Sequence, residues 1–305
     1  MQSQAIEILV IGHAALDLIF RVPRMPAPGQ KQPASEMLTA IGGPACNAAI
    51  AISRMGGRPV LLARIGTDAF GQMIEKELAD FGIDRELLFR IPGAPSSVSS
   101  VYVDDLGERQ VVNILPRELS PSLDLDHVLR ATRSGRFPAA LGDSRWPQAS
   151  AQVFRCMPPS SIRLVDFERT SPELIEACIN ASHIFFSQDG LEALTGTRDA
   201  QAGLREAATR FVATVGVTAG AEGTYWLQDE HLLHEPAFSV QVIETLAAGD
   251  VWHGAATLAL AQGMPLRTAI RRANAVAALK CTRPGGSRGM PAAEEISSFL
   301  EQVNA

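Results

Sequence analysis

The stretch Glu244-Thr245-Leu246-Ala247-Ala248-Gly249-Asp250 determines how the rest of this chain is interpreted, and it leads into an apolar run at 251–260. Small residues directly before a helix leave backbone N–H groups uncovered, and the helix start adds unpaired donors and the positive end of the dipole. Such a segment binds an anion without a cationic side chain. A carboxylate there suits a site where a hydroxyl loses its proton beside a phosphoryl group. Taken alone, Gly249-Asp250 is more simply a helix N-cap, so the interpretation depends on the rest of the chain.

Length and composition describe an ordinary globular protein. The chain has 305 residues, 46% of them apolar and 20% charged, which fits one α/β domain with a small appendage. The net charge of −6 argues against a nucleic-acid partner. No apolar run approaches 18 residues and no signal peptide is apparent, so we expect neither a membrane span nor a membrane partner. The scattered cysteines favour a cytoplasmic location over a disulfide framework or a zinc site: Cys46, Cys156, Cys178 and Cys281.

Most of the chain alternates short apolar runs with amphipathic segments. The run Ile8-Leu9-Val10-Ile11-Gly12 is typical of a buried strand. Further strands are predicted at 59–66, 162–165, 183–186 and 211–217. Helices are predicted at 44–55, 71–81, 172–180, 191–195 and 200–210. This rhythm predicts an α/β fold with a doubly wound, mostly parallel sheet covered on both faces. The least patterned stretch is 134–150, within which we expect a strand that ends near Gly142.

Two segments interrupt that rhythm with short strands, at 18–22 and 36–40 and again at 97–103 and 109–115. The second pair flanks Asp104-Asp105-Leu106-Gly107, a hairpin signal. We expect an inserted β-sheet lid that closes over a crevice and excludes water, although a plain decoration of the domain edge is the alternative. The predicted boundaries are 17–40 and 97–115 for the lid. The α/β nucleotide- and substrate-binding domain then takes 1–16, 41–96 and 116–305.

Polar residues near the early strands are candidates for substrate binding. Gly42 and Gly43 lie at a strand-to-helix junction, where paired glycines let a ligand approach the backbone. Asn47, one turn later, offers both a donor and an acceptor. Asp17 follows the first strand and is placed to accept hydrogen bonds from sugar hydroxyls, or simply to cap a turn.

Three features in this order resemble the ribokinase-like (PfkB) carbohydrate kinase family, from residue 8 to about 291. They are Gly42-Gly43-x-x-x-Asn47, the two-piece β segment, and Thr245-x-Ala-Ala-Gly-Asp250. The segment 217–223 is similar to the family's nucleotide loop, and 278–286 is similar to its last helix and the turn beside the adenine. The resemblance implies a ribokinase-like fold with a lid over the sugar, ATP and Mg²⁺ as cofactors, and a homodimer through the lid.

The resemblance also implies roles for individual residues. Asp250 matches the catalytic base, and the backbone of Ala247, Ala248 and Gly249 matches the anion hole for the transferred phosphate. The matching sugar-contacting positions are Asp17, Gly42, Gly43 and Asn47. The matching ATP-contacting positions are Thr218, Gly220 and Gly223, with Asn274 near the expected adenine wall.

Two positions depart from the family pattern. Glu244 stands where the family has an Asp that helps hold a monovalent cation, so we expect Glu244 to face a K⁺ site and potassium dependence to be weak. The family's Asn-x-x-Glu element falls on Ser187-Gln188-Asp189-Gly190, which lacks both residues. The hold on Mg²⁺ is therefore altered, with Gln188 or Asp189 as substitutes.

The choice of substrate rests on Lys31, Asn113 and Arg145. A lysine and an arginine converging on the far end of a sugar suit a substrate that carries an anion. The pattern is similar to that of 6-deoxy-6-sulfofructose kinases within the family. In the plainer interpretation Lys31 is a solvated turn residue and Arg145 a salt-bridge partner.

The preferred function is an ATP-dependent kinase for a ketohexose-type sugar with a terminal sulfonate or other anion. The alternatives are a kinase for a neutral ketohexose, ribose or a nucleoside, and a catalytically weak sugar-binding regulator on the same fold. Intact Asp250 favours a kinase, whereas the altered segment 187–190 leaves room for the regulator.

Overall fold

The computed structural model describes residues 5–120 and 122–303. Its strands are β1 (Glu7–His13), β2 (Ala15–Arg21), β3 (Glu36–Gly42), β4 (Arg58–Gly66), β5 (Leu88–Ile91), β6 (Val98–Val103), β7 (Arg109–Ile114), β8 (Ala139–Gly142), β9 (Ile162–Phe167), β10 (His183–Ser187), β11 (Thr214–Thr218), β12 (Thr224–Gln228) and β13 (His231–Glu235). Its helices are α1 (Pro44–Arg54), α2 (Ala69–Asp80), α3 (Asp126–Arg133), α4 (Pro147–Cys156), α5 (Pro172–Ile179), α6 (Gln188–Thr195), α7 (Ala200–Arg210), α8 (Ala248–Ala261), α9 (Leu266–Cys281) and α10 (Ala293–Gln302).

A nine-stranded sheet in the order β13-β12-β11-β10-β9-β8-β1-β4-β5 forms the centre of the fold. It is parallel except for β12 and β13, which run antiparallel at one edge. Along β1, Ile8 and Val10 pack into the core shared with α1, α8 and α9, whereas Leu9 and Ile11 pack into the core on the opposite face with α4 to α7. The predicted α/β fold with helices on both faces is confirmed.

A second sheet of four strands, in the order β3-β2-β6-β7, stands apart from the first. Its strands lie in the two segments that interrupt the βα rhythm, and they extend to Ala15 and Gly42, two residues beyond the first predicted lid segment at each end. Ile19, Val101 and Leu246 share a small core, so this sheet packs on the segment that precedes α8.

The least patterned stretch, 134–150, contains β8, which ends at Gly142 as expected, and the beginning of α4. Four residues from Ala139 to Gly142 are too short a run to stand out by periodicity, and only pairing with β1 and β9 makes them a strand. The strand predicted at 211–217 begins at Thr214. In residues 5–120 and 122–303 no helix is both long enough and apolar enough to cross a membrane.

The order of the strands places a crevice beside β1. The chain runs from β1 to β4 on one side, whereas β8, β9 and β10 lie on the other, so the connections diverge between β1 and β8. Ligands of open α/β sheets bind at such a point, outside the carboxyl ends of the strands.

Candidate active site

Helix α8 begins without any side-chain cap. Its N-cap residue, Ala247, has a left-handed backbone with φ of 65°, and its side chain cannot accept a hydrogen bond. A Cβ built on Gly249 would meet no atom within 4 Å, so open space lies beside the first turn. Open space beside uncapped N–H groups is what an anion site requires, and the role of 247–249 as an anion hole stays a prediction.

Asp250 lies in the same turn and is held by α1. A Cβ on Gly254 would lie 2.5 Å from the carbonyl oxygen of Ala48, so only glycine allows the two helices to approach this closely. The approach lets Asn47 Nδ2 donate a hydrogen bond of 2.7 Å to Asp250 Oδ2. Asn47 Oδ1 is buried and has no hydrogen-bond partner within 5–120 and 122–303, which leaves an acceptor for a ligand hydroxyl.

The surroundings of Asp250 favour a carboxyl group that titrates near neutral pH. Burial and the nearby negative charge of Glu168 raise its pKa to about 7, with a further contribution from Asp143. The hydrogen bond from Asn47 and the charge of Arg109 act in the opposite direction. A carboxylate with such a pKa is suited to take a proton from an alcohol at physiological pH.

Two acids that the sequence interpretation missed lie beside Asp250. Asp166 and Glu168 stand at the carboxyl end of β9, and carboxylate oxygens of these three residues lie within 4.8 Å of one another. Asp166 Oδ1 is buried and accepts no hydrogen bond from residues 5–120 and 122–303, and His253 Nε2 lies 3.5 Å from it. Burial and the charge of Glu168 raise the pKa of Asp166 well above its ordinary value. Such a set of hard oxygen donors fits a divalent cation. Their position directly after an apolar strand was the available signal.

The predicted sugar-contacting residues converge near the start of α1. Asp17 on β2 is buried, and burial raises its pKa to about 6 despite a hydrogen bond from Ser99. A Cβ on Gly42 would lie 2.1 Å from the Asp17 carboxylate, and Gly43 has φ of 90°. Both glycines are thus required by the local geometry, which places Asp17 close to the helix that carries Asn47.

Asn113 and Arg145 lie at opposite ends of one hydrogen-bonded network. Asn113 Nδ2 donates to Ser97 Oγ at 3.1 Å, and that hydroxyl lies 3.0 Å from His13 Nε2. Asp143 then accepts from the backbone N–H groups of His13 and Arg145, both at 2.8 Å. The network connects the small sheet with the crevice between β1 and β8.

Lys31 is not brought into this network. It is exposed in the connection between β2 and β3, and within 5–120 and 122–303 no hydrogen bond or ion pair joins it to Asn113 or Arg145. Arg145 forms an ion pair of 3.4 Å with Glu168, and its Nε is buried without a partner. Two of the three predicted anion-binding residues are therefore close in the fold, and the third is in solvent.

Positive charge is nevertheless concentrated at this end of the crevice. Burial together with the charges of Arg145, Arg64 and Arg169 lowers the pKa of His13 to about 3. Arg64 is itself buried, with its guanidinium 4.1 Å from the ring centre of Trp146. The sequence interpretation missed Arg64, which it placed inside a strand without assigning it a role.

The residues predicted to contact ATP differ in their surroundings. Thr218 ends β11, and Gly220, with φ of 54°, borders open space. Gly223 has φ of 101° and no room for a side chain. Asn274, by contrast, accepts from Trp252 Nε1 at 2.7 Å and Thr224 Oγ1 at 2.9 Å, and its amide group donates to carbonyls of 235 and 236. The Asn274 amide is thus held by the protein itself, and its place near the adenine stays a prediction.

The two departures from the family pattern have clear local consequences. Asp189 is exposed and pairs with Arg198 at 2.9 Å, so the structure does not support it as a substitute ligand for Mg²⁺. Glu244 is fully buried, and Lys280 Nζ lies 3.0 Å from its Oε1. An ammonium group thus stands beside the carboxylate that was expected to face a potassium ion.

Comparison with known proteins agrees with the geometry of the candidate active site. A family model described as pfkB family carbohydrate kinase matches residues 5–293. The chain belongs to this family. A curated relative, the deoxyribokinase of Salmonella typhi, is 24% identical over 316 residues, which cover 96% of this chain and 98% of the relative. The fructokinase of Vibrio alginolyticus is 26% identical over 336 residues, covering 97% and 99% respectively.

Solved structures agree along the whole chain. One described as a "putative ribokinase from Agrobacterium tumefaciens" superposes with a TM-score of 0.91 at 32% identity, covering 99% of this chain and 100% of that one. The ribokinase of Arabidopsis thaliana, complexed with ribose and ATP, superposes with a TM-score of 0.86 at 21% identity, covering 98% and 99%. The protein is therefore an ATP-using phosphotransferase of the ribokinase family, a sugar or nucleoside kinase.

Proposed function

We propose that this kinase transfers the γ-phosphoryl group of ATP to a hydroxyl of a ketohexose-type sugar, with Asp250 as the base. The observation that carries the proposal is the position of Asp250 in the uncapped first turn of α8, hydrogen-bonded to Asn47. In this position the Asp250 carboxylate accepts the hydroxyl proton, while the adjacent N–H groups of 247–249 bind the phosphoryl oxygens.

Different residues orient the sugar and stabilise the charge that develops during phosphoryl transfer. Asp17 and the free Oδ1 of Asn47 accept hydrogen bonds from sugar hydroxyls and fix which one faces Asp250. The helix dipole of α8 and its N–H groups stabilise negative charge that develops during transfer. Thr218, Gly220 and Gly223 border the nucleotide side of the same crevice.

We also propose that Asp166 and Glu168, rather than segment 187–190, provide the carboxylates that hold Mg²⁺. The assignment is supported by the clustering of their oxygens beside Asp250 and by the buried Oδ1 of Asp166, whose neighbour His253 Nε2 is 3.5 Å away. When bound, the metal supplies positive charge that neutralises the phosphates of ATP. Replacement of Asp166 by Asn is expected to raise the Mg²⁺ concentration for half-maximal rate on the order of tenfold.

The far end of the sugar is proposed to carry an anion, such as a sulfonate. Support comes from the positive charge of Arg145, Arg64 and Arg169 around His13 and from the unpartnered Nε of Arg145. Lys31 would have to move with its connection to join them. The runner-up is a neutral ketohexose, ribose or nucleoside, and the names of the relatives above favour such neutral acceptors.

A substrate panel with one variant tests the anionic assignment. ADP release is measured with Mg²⁺-ATP and ketoses that are uncharged or carry a terminal sulfonate or phosphate. Arg145→Ala is expected to raise KM for an anionic ketose tenfold to a hundredfold, since a charge-assisted contact contributes about 1.5–3 kcal/mol. An uncharged ketose, which never used the guanidinium, serves as the internal control, and equal weakening of both substrates would exclude the anion pocket.

The small sheet is proposed to act as a lid and to pair with a second copy of the chain. Its edge strand β7 is exposed throughout, with Val112 and Ile114 more than 60% accessible, as is usual for an interface and costly for a monomer. Sedimentation of the wild type is expected to give a dimer, and Val112→Glu a monomer. A monomeric wild type would contradict this.

A further inference from the structure

A buried ion pair lies directly behind the segment that leads into α8. Glu244 and Lys280 are both inaccessible to solvent, and Lys280 Nζ lies 3.0 Å from Glu244 Oε1 and 3.5 Å from the carbonyl oxygen of the same residue. Removing two opposite charges from water costs several kcal/mol per ion unless the remaining contacts are good. The groups around this pair therefore decide whether it is stable as two ions.

The carboxylate of Glu244 has no capacity left for a free cation. Oε1 accepts from Lys280 and from Gly286 N at 2.7 Å, and Oε2 accepts from Gly285 N at 3.1 Å and lies 3.4 Å from Arg21 Nη2. Two carboxylate oxygens offer about four acceptor sites, and four donors fill them. A potassium ion ligated by this carboxylate does not fit the arrangement.

The protonation of the pair is consistent with two ions. Burial alone would raise the pKa of Glu244, but Lys280 and the N–H groups of Gly286 and Gly285 together bring it below its ordinary value. Burial lowers the pKa of Lys280, and Glu244 opposes that effect. The geometry agrees with a charged pair, because Lys280 and two backbone N–H groups all donate to the Glu244 carboxylate.

The pair connects α9 to the proposed anion hole. The N–H groups of Ile243 and Glu244 both donate to the carbonyl oxygen of Cys281, at 2.8 and 3.1 Å. Three residues after Glu244 the backbone reaches Ala247, whose left-handed conformation starts α8. The position of Lys280 thus fixes the segment whose backbone N–H groups would bind phosphate.

We propose that the Lys280 ammonium takes the place of a bound monovalent cation beside the anion hole. Lys280 is then a positioning residue that makes phosphoryl transfer independent of potassium. The inference rests on the proposed kinase function. Its prediction for potassium binding can be measured by the unfolding temperature, without measuring turnover.

The first test uses the unaltered protein at constant ionic strength. Initial rates of ADP release are compared in chloride salts of potassium, sodium and choline at about 0.1 M, near physiological ionic strength. The rates are expected to agree within about twofold, and the unfolding temperature is expected not to change between potassium and choline. A rate that rises more than about fivefold with potassium overturns the proposal.

The second test removes the ammonium. Lys280→Ala leaves Glu244 underpaired and opens space, so potassium is expected to raise its unfolding temperature and to recover part of its rate, whereas choline does neither. Lys76→Met, on an exposed lysine that pairs with Asp80, is the matched control and is expected to show no response to potassium. If Lys280→Ala shows no potassium response in unfolding temperature, the ammonium does not replace a cation.

A third variant separates positioning from mere stability. Glu244→Gln/Lys280→Met removes both charges, and neutral replacements of buried pairs often preserve stability. The expected outcome is a near wild-type unfolding temperature with kcat about tenfold lower and an unchanged KM for ATP. If both the unfolding temperature and kcat of this variant equal those of the wild type, the pair has only a structural role. If the wild type phosphorylates no sugar, the proposed function fails, but the unfolding measurements still decide whether Lys280 replaces the cation.

Discussion

The replacement Asp250→Asn tests the central assignment with little disturbance of the fold. Asparagine has nearly the same shape, and its Oδ1 can still accept the hydrogen bond that Asn47 Nδ2 donates to Asp250 Oδ2 at 2.7 Å. What disappears is the ability to take a proton. Loss of a positioned general base costs a factor of roughly 10² to 10⁴, or about 2.7–5.4 kcal/mol of barrier.

The pH dependence gives an independent measure of the same group. Its pKa of about 7 means that Asp250 is mostly a carboxylate above pH 7 and mostly protonated below it. Only the carboxylate can act as a base, so kcat/KM of the wild type is expected to fall about tenfold for each unit below pH 7 and to level off above. The Asn variant is expected to lose this slope.

The assay couples ADP release to NADH oxidation, with the best ketose of the panel and saturating Mg²⁺-ATP. Asp189→Asn is the matched control, because Asp189 is exposed, pairs with Arg198 and is expected to leave the rate unchanged. KM for ATP is expected to stay within about threefold in both variants. A drop of less than about tenfold in kcat for Asp250→Asn, or an unchanged pH slope, would refute the role of base.

Three further substitutions address neighbouring features. Asn47→Ala removes a hydrogen bond that favours the carboxylate form of Asp250, so its pKa should rise and the acid limb of kcat/KM should move to higher pH; an unmoved limb would contradict this. Gly42→Ala would place a methyl group 2.1 Å from the Asp17 carboxylate, so KM for the sugar should rise on the order of tenfold while KM for ATP stays constant in the same assay. Asn274→Ala leaves several buried groups unpaired and should lower the free energy of unfolding by about 2–4 kcal/mol in urea titration, and a change in KM for ATP without loss of stability would indicate a direct nucleotide contact.

The sequence was informative where a feature is local. Runs such as Ile8–Gly12 and the periodic helices predicted most of the large sheet, and the interruption of that rhythm predicted the second one. For strand β8 only the end near Gly142 was expected, because four residues carry too little pattern to give both bounds, and its pairing with two neighbours defines them. The motif around Asp250 could be recognised because all its residues are contiguous.

Residues that act through distant partners were harder to assign. Asp166 and Glu168 meet Asp250 only through folding, across more than 80 residues. The sequence around Lys280 predicted only a helix, and its partner Glu244 lies 36 residues earlier in the chain. Asn274 was predicted to lie near the adenine, and the four hydrogen bonds that hold its amide within the protein could not be predicted from spacing in the sequence.

The left-handed backbone of Ala247 has a consequence for small inorganic ions. A non-glycine residue in this conformation costs about 1–2 kcal/mol, and the fold carries that cost before any ligand arrives. The turn is therefore already shaped for an oxyanion, and little ordering entropy is lost when one enters. Sulfate or inorganic phosphate in a storage buffer should accordingly compete with ATP and protect the turn against hydrogen exchange, so kinetic comparisons between buffers need a common anion.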